Sequence, residues 1–315
     1  MTAQIAFLFP GQGSQAVGMG RALADAFPVA AQTFAEADQA LGFPLSKLIF
    51  EGPDEDLRLT ENTQPAILTV SIAAWRVLTA HGVQPAFAAG HSLGEWSAHV
   101  AAGTLKFADA VRAVKARGRA MQLAVPAGQG AMAAILQLDA AQVADACAEA
   151  AAQTGLVVAA ANLNSPGQTV ISGALAAVER ASAIAKTKGA RRAVMLPVSA
   201  PFHCALMQPA QEEVASVLGA LRLAEPHFFV AANVTGGLIT TAEAAKNALI
   251  RQVTGAVRWV DCVKSLKAAG ARLFIEIGPG KVLCGLLKQI DPELKSLNVE
   301  DPASLEKTLA ELAAS

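Results

Sequence analysis

No run of about eighteen consecutive apolar residues occurs in the 315-residue chain, which excludes a membrane-spanning helix. Charge is scarce and balanced. Charged residues make up 16% of the chain, with 25 Lys plus Arg against 26 Asp plus Glu, so nucleic acid is not expected as the main partner. Only four cysteines are present, Cys147, Cys204, Cys262 and Cys284. They form no CxxC pair, and no histidine stands at metal-ligand spacing. Reduced thiols in a cytoplasmic protein are expected, with no disulfide framework, no metal site and no bound cofactor. Cys204 follows His203 directly, but chain neighbours rarely face each other, so a Cys/His pair is not expected. The N-terminus lacks a basic segment before its apolar run, which speaks against a secretory leader. No internal repeat or low-complexity tail is found. What the chain has is apolar residues, 53% of the total and enough for a sizeable core.

Their pattern alternates. "QIAFLF" reads as a buried strand (4–9) that runs into the glycine turn "PGQGSQ". Helices are expected over about 18–41, 64–81, 94–102 and 107–123, with "PAFAAG" as a short apolar strand before the third. This alternation indicates an α/β sheet covered by helices on both faces. "AVPAGQG" breaks the rhythm. Strands "AMAAILQL", "LVVAAANL", "QTVISG" and "ARRAVMLPV" then enclose two helices in the order β-α-β-β-α-β, the ferredoxin-like unit. The expected fold is therefore a hydrolase-like α/β domain with a mostly parallel sheet (1–126 and 200–315). A small ferredoxin-like subdomain (127–199) is inserted in it. "HFFVAANV" and "ARLFIEIG" read as further strands of the large domain, and "GPGKVLCGLLKQI" as a glycine turn opening a helix.

The sharpest local signal is "GHSLGEW", a G-x-S-x-G placed after a strand and before a helix. Such an elbow forces its serine into a tight, strained turn. Positions two before and two after must then be nearly free of side chain, here Gly90 and Gly94. The turn lifts the Ser92 hydroxyl to a helix N-terminus, where unpaired N–H groups and the helix dipole favour negative charge. The Leu93 N–H would then be placed to bind an oxyanion.

A serine nucleophile needs a base. His91 is the chain neighbour of Ser92 and points elsewhere. His99 lies about 10 Å along the helix. His81 suits a helix C-cap. His203 and His227 remain, and spacing does not choose between them. Hydrolases of this fold follow the order Ser, acid, His. Between Ser92 and His203 the acids are Glu95, Asp109, Asp139, Asp145, Glu149 and Glu179. The last four fall in the insert and the first two come too early, so the third triad member is missing where expected. Two other glycine loops carry little. "GQGSQA" fits a dinucleotide fingerprint, but the residues around Asp38 read as helix rather than a second strand. "GPGKV" lacks the early glycine and the Ser/Thr of a phosphate loop.

Eight segments occur in order: "FLFPGQGSQAVGMG", "TENTQPA", "GHSLGEW", "KARGRAMQ", "NLNSPGQTVISG", "PVSAPFHCALM", "RQVTGAVRW" and "EIGPGKVL". Together they resemble the malonyl-CoA:acyl-carrier-protein transacylases of bacterial fatty acid synthesis, over nearly the whole chain. The resemblance implies a Ser–His dyad, with Ser92 acylated and His203 as base. It implies that the backbone carbonyl of Gln252 orients the imidazole in place of a carboxylate. It also makes the N–H of Gln12 the second oxyanion donor beside Leu93, with Asn162 and Gln64 in supporting roles. Among Arg112, Lys115, Arg117 and Arg119, spacing singles out none. The resemblance selects Arg117, whose guanidinium would grip the malonyl carboxylate with two parallel hydrogen bonds. Phe202 would bear on malonyl over methylmalonyl.

The partners implied are malonyl-CoA, coenzyme A and an acidic acyl carrier protein. The basic cluster Lys186, Lys188, Arg191 and Arg192 is the expected dock for the carrier. A monomer is expected. A serine esterase or thioesterase would share the elbow but should pair His203 with an acid. A non-catalytic carrier-binding module would not need Ser92 and His203 intact. A discrete acyltransferase of a polyketide synthase or malonate decarboxylase system would look almost the same.

Overall fold

A computed structural model describes residues 4–198 and 200–314. Among these residues the strands in chain order are β1 (Gln4–Phe9), β2 (Phe87–Gly90), β3 (Gly130–Leu136), β4 (Val158–Ser165), β5 (Gln168–Ala174), β6 (Arg192–Met195), β7 (Phe229–Ala231), β8 (Leu238–Ile239), β9 (Ala271–Ile277) and β10 (Lys295–Val299). They form a six-stranded sheet in the order β10-β9-β1-β2-β7-β8 and a four-stranded sheet in the order β4-β5-β3-β6. In the larger sheet every pairing is parallel except β7 with β8.

β1 shows why this sheet is central. Its residues point alternately to two faces, and both faces are covered. Phe7 and Phe9 enter a core with Ile67, Val70 and Trp96, while Ala6 and Leu8 enter another with Trp259, Phe274 and Leu283. The small residues of β2, Ala88 and Ala89, are completely buried between the layers.

The second sheet is antiparallel throughout. With helices Ala140–Thr154 and Leu175–Thr187 it makes the β-α-β-β-α-β unit of a ferredoxin-like subdomain. The alanine-rich helices lie close on the sheet. Ala146, Ala150, Ala177 and Ala181 pack with Ala133, Ile135 and Ile171 in a separate core. The architecture is thus α/β, with a mostly parallel sheet and a separate small antiparallel one. The small sheet runs from Gly130 to Met195, within the expected insert 127–199. That insert's last residue, Ser199, lies outside the described residues, as do residues 1–3 and 315 of the expected large domain.

Among the elements that differ from expectation, the strand read across "ARRAVMLPV" is only Arg192–Met195. The helix expected over 18–41 is two helices, Arg21–Ala26 and Pro28–Leu41. Phe27 is extended at φ −130° because the residue before a proline is pushed out of the helical region, and Pro28 then opens the second helix. The strand expected across "HFFVAANV" is only Phe229–Ala231, which frees Asn233 to turn into the site described below. No helix among the described residues is long and apolar enough to cross a membrane.

β1 and β2 are neighbours in register, with Phe9 opposite Gly90. The loops leaving their carboxyl ends therefore start side by side, on the edge of a parallel sheet where ligands bind.

Candidate active site

Only His91 and Ser92 separate β2 from the helix Leu93–Ala101. Ser92 has φ 50° and ψ −105°, a strained conformation that persists only where the surroundings impose it. The flanking glycines are sterically required. A Cβ on Gly90 would lie 1.8 Å from the Gly94 carbonyl carbon, and one on Gly94 would lie 2.0 Å from the Phe9 oxygen. Asn233 clamps the turn. Its Oδ1 accepts from the Ser92 N–H at 2.7 Å, and its Nδ2 donates to the Gly90 carbonyl at 2.8 Å.

Ser92 Oγ lies 2.7 Å from His203 Nε2, and His203 Nδ1 lies 2.9 Å from the backbone carbonyl of Gln252. A carbonyl can only accept, so Nδ1 carries the proton and Nε2 is free to take one from the hydroxyl. Burial lowers the imidazole pKa to about 3, and the Arg117 charge adds to that fall. The ring is neutral at physiological pH. Of the two histidines that spacing left open, His203 is the one bonded to Ser92, whereas the His227 ring packs against Gly103. His81 caps its helix through Nδ1 and the Val77 carbonyl at 2.9 Å. His91 bonds Asn164 at 2.8 Å, and His99 is fully buried. Cys204 turns away from His203 and donates its thiol to the Pro201 carbonyl at 3.1 Å.

Helix Phe107–Leu123 carries Arg117, which is only 1% exposed. Gly118 allows this. A Cβ there would lie 2.6 Å from the Thr60 carbonyl, so the glycine lets this helix press against Thr60–Ala80. Arg117 Nη1 donates to Gln64 Oε1 at 2.7 Å. Its Nη2 donates to Gln252 Oε1 at 2.8 Å and to Ser92 Oγ at 3.1 Å. Its Nε has no partner among the described residues. Burial lowers its pKa to about 10, which still leaves it charged at neutral pH. The other three basic residues lie away from the core. Arg112 pairs with Asp109, Lys115 pairs with Glu61, and Arg119 is exposed.

The acid absent from its usual place in the chain is present in space, but it does not touch the imidazole. Glu95, completely buried one turn after Ser92, accepts at Oε2 from Gln252 Nε2 at 2.6 Å and from the Asn233 N–H at 3.0 Å. Burial raises its pKa to about 7, against the pull of these bonds and of Arg117. The sequence offered one signal for Glu95: it is an acid in a nine-residue helix that is otherwise apolar or weakly polar and buried throughout. Asn233 carried no signal.

Gln12, Gln64, Leu93, Asn162 and Phe202 line one cavity of about 120 Å³ with Ser92, Arg117 and His203. Leu93 opens its helix, so its N–H has no partner within that helix. The Gln12 side chain donates to Thr60 Oγ1 at 3.3 Å. Asn162 sits where the small sheet meets the large domain, bridged to Val257. Lys186, Lys188, Arg191 and Arg192 lie outside this cavity, exposed on the small subdomain, with Lys188 paired to Glu149 at 3.5 Å. Among the described residues no group of His, Cys, Asp and Glu is arranged to hold a metal ion.

The acyl transferase domain family matches residues 6–304. The malonyl CoA-acyl carrier protein transacylase of Salmonella typhimurium is 49% identical over 309 residues, covering 98% of this chain and 99% of that protein. The chain belongs to the malonyl-CoA–acyl carrier protein transacylase family. A crystal structure of an acyl carrier protein S-malonyltransferase from Vibrio cholerae superposes with a TM-score of 0.94 at 50% identity, covering 97% of this chain and all of that one. A malonyl-transacylase solved in complex with a type II PKS acyl-carrier protein gives 0.95 at 47% identity, covering 98% of this chain and 100% of that one. The site holds a hydroxyl bonded to a neutral imidazole, with a buried cation within hydrogen-bond reach of the same hydroxyl.

Proposed function

We propose that this transacylase moves a malonyl group from malonyl-CoA to the phosphopantetheine thiol of an acyl carrier protein, through a malonyl ester on Ser92. The observation that carries the site assignment is the 3.1 Å separation of Arg117 Nη2 from Ser92 Oγ. An ordinary serine hydrolase has no use for a buried guanidinium beside its nucleophile. An acyl group ending in a carboxylate does.

Malonyl-CoA enters with its carboxylate on Arg117, which turns Nη2 from the hydroxyl to the substrate. His203 Nε2 takes the Ser92 proton as Oγ attacks the thioester carbon. The N–H groups of Leu93 and Gln12 hold the developing oxyanion. His203 then gives the proton to the departing coenzyme A sulfur. In the second half-reaction the carrier thiol loses its proton to His203 and attacks the malonyl ester, and the Ser92 oxygen leaves with that proton. Coenzyme A leaves before the carrier thiol reacts with the malonyl ester, so the cycle is ping-pong. The Gln252 carbonyl keeps Nδ1 protonated throughout, and Gln64 and Asn162 support the cavity wall. Phe202 narrows the space beside His203, which favours an unbranched malonyl group. An esterase reading would need an acid on Nδ1, and a carbonyl is there instead. The carrier protein docks on the basic face at Lys186, Lys188, Arg191 and Arg192, and the enzyme works as a cytoplasmic monomer. The PKS carrier complex of the structural neighbour favours a second reading, in which a polyketide carrier is the acceptor.

Intact-protein mass after mixing with malonyl-CoA, or separately acetyl-CoA, tests the site. The native chain gains a malonyl adduct and Ser92→Ala gains none. Arg117→Ala loses its preference for malonyl over acetyl by about a hundredfold, the cost of removing one partner of a buried charge pair. A malonyl adduct on Ser92→Ala would overturn the assignment.

A further inference from the structure

We propose that Glu95 is a positioning residue for acyl selection: by holding the side-chain amide of Gln252 in one orientation, it keeps the Arg117 guanidinium against Ser92 Oγ. The proposal rests on the reading of Arg117 as the carboxylate grip.

The amide of Gln252 has two ends of similar shape and opposite hydrogen-bonding character. Its Nε2 donates to Glu95 Oε2 at 2.6 Å, to the Ser92 carbonyl at 2.9 Å and to Asn233 Oδ1 at 3.3 Å. That leaves Oε1 facing Arg117 Nη2 at 2.8 Å. A flipped amide would set NH₂ against the guanidinium NH₂, donor against donor, and its oxygen against three acceptors. Each of those three acceptors also takes a backbone N–H. The Ser92 carbonyl takes the Glu95 N–H at 3.1 Å, and Asn233 Oδ1 takes the Ser92 N–H at 2.7 Å. Glu95 Oε2 makes the shortest of the contacts to Nε2 and is itself fixed by the Asn233 N–H at 3.0 Å. Glu95 therefore decides which way the amide lies.

The consequence falls on the nucleophile's side of the guanidinium. Nη1 is held separately by Gln64 Oε1. Nη2, the nitrogen on Ser92 Oγ, has only Gln252 Oε1 as its other partner among the described residues. The Asn233 side chain ties the Ser92 N–H to the Gly90 carbonyl through two bonds that Glu95 does not make. Loss of Glu95 should leave the hydroxyl in place and release the cation beside it. Oε2 acts as an acceptor in either protonation state, so an amide oxygen in its place should serve as well.

The test compares self-acylation rate constants for malonyl-CoA and acetyl-CoA in the native chain, Glu95→Gln, Glu95→Leu, Glu95→Asp and Arg117→Ala, each with its thermal midpoint. Glu95→Gln keeps the malonyl-to-acetyl ratio within about threefold of native, because its oxygen still accepts. Glu95→Leu loses the ratio by at least about tenfold, as expected when a hydrogen bond orienting a charged group is removed. Glu95→Asp, which draws the carboxylate back by one methylene, loses it in the same direction and serves if the leucine variant does not fold. A purely structural role would lower the midpoint or both rates together and leave the ratio unmoved. A native ratio in the leucine or aspartate variant, with Arg117→Ala losing its own, overturns the proposal for Glu95 alone. A native ratio in Arg117→Ala overturns the carboxylate reading beneath it, and both fall.

Discussion

Arg117 Nη2 and His203 Nε2 meet at one oxygen, Ser92 Oγ, at 3.1 Å and 2.7 Å. The cation beside the hydroxyl favours its ionised form, and it also lowers the proton affinity of the imidazole bonded to it. A substrate carboxylate on Arg117 would offset that charge and strengthen the base at the moment the thioester is in place.

The acid limb of the acylation rate follows from this arrangement. Protonated His203 cannot act as base, and burial with Arg117 lowers its pKa to about 3. Native self-acylation by acetyl-CoA, which brings no carboxylate, should be level from pH 8 down to about pH 4.5. Removing the charge in Arg117→Ala removes one of the lowering causes, so the loss of rate should begin at higher pH. It should still begin below 6.5, because burial is the larger cause and the rest of the pocket remains. Initial rates by intact-protein mass across this range measure the shift. A limb at the same pH in both proteins would mean the guanidinium field does not reach the imidazole.

The elbow glycines make a steric prediction. A Cβ on Gly94 meets the backbone oxygens of Phe9 at 2.0 Å and Pro10 at 2.9 Å, and backbone cannot swing aside as a side chain can. Gly94→Ala should cost about 3 kcal/mol or more and lower the thermal midpoint by at least about 5 °C, with self-acylation lost. Gly285→Ala is the control, because a Cβ there has nothing within 4 Å. It sits inside helix Val282–Ile290, where alanine is the better helix former, and should be neutral or slightly stabilising.

These contrasts show what a sequence can and cannot carry. Ser92 is legible because the turn that exposes it demands small residues at fixed offsets, and composition records that demand. His203 is not separable from His227 by spacing, because it stands 111 positions after Ser92 and its φ of 60° has no residue signature. Gln252 meets the imidazole through its backbone carbonyl, an atom that every residue has. Arg117 shares its helix with three other basic residues, and only the close contact at Gly118 turns it inward. Glu95 comes too early in the chain for a triad acid, and an acid in the first turn of a helix has an ordinary use in complementing the dipole. The two sheets were legible because the order of elements changes after "AVPAGQG", from strand–helix alternation to β-α-β-β-α-β. The break at Phe27 follows from the proline after it, but an unbroken apolar pattern on either side conceals it.

The basic face of the small subdomain gives a prediction confined to one half-reaction. Arg191 and Arg192 are exposed at the start of the β6 edge, and neither lines the cavity. Replacing both with glutamate sets like charge against an acidic carrier. The carrier-protein KM should rise roughly tenfold, and more at low salt than at high. Steady-state transfer at two ionic strengths, compared with single-turnover self-acylation, locates the effect. An equal fall in both half-reactions would place the damage in the cavity rather than at a docking face.

Glu95 also sets a pH dependence of stability, and its sign runs opposite to that of a salt-bridged carboxylate. Its folded pKa is raised to about 7 from an ordinary value of 4.5, so the fold binds a proton that the unfolded chain has already released. The titratable groups that bear on it are Arg117, which opposes the rise, and the buried thiol of Cys262, whose own pKa its charge pushes up. Between about pH 4.5 and pH 7 stability should fall as pH rises, then level once both states are ionised. The loss amounts to about 3 kcal/mol from this one group. Glu95→Gln, which resembles the protonated acid and cannot titrate, should remove that slope. Chemical denaturation of the two proteins at pH 5 and pH 8 measures it: the variant should gain on the native chain by about 3 kcal/mol between the two. A constant difference would mean that Glu95 stays in one protonation state over that range. The ratio test on the Glu95 variants would stand unaffected, since oxygen accepts in either state.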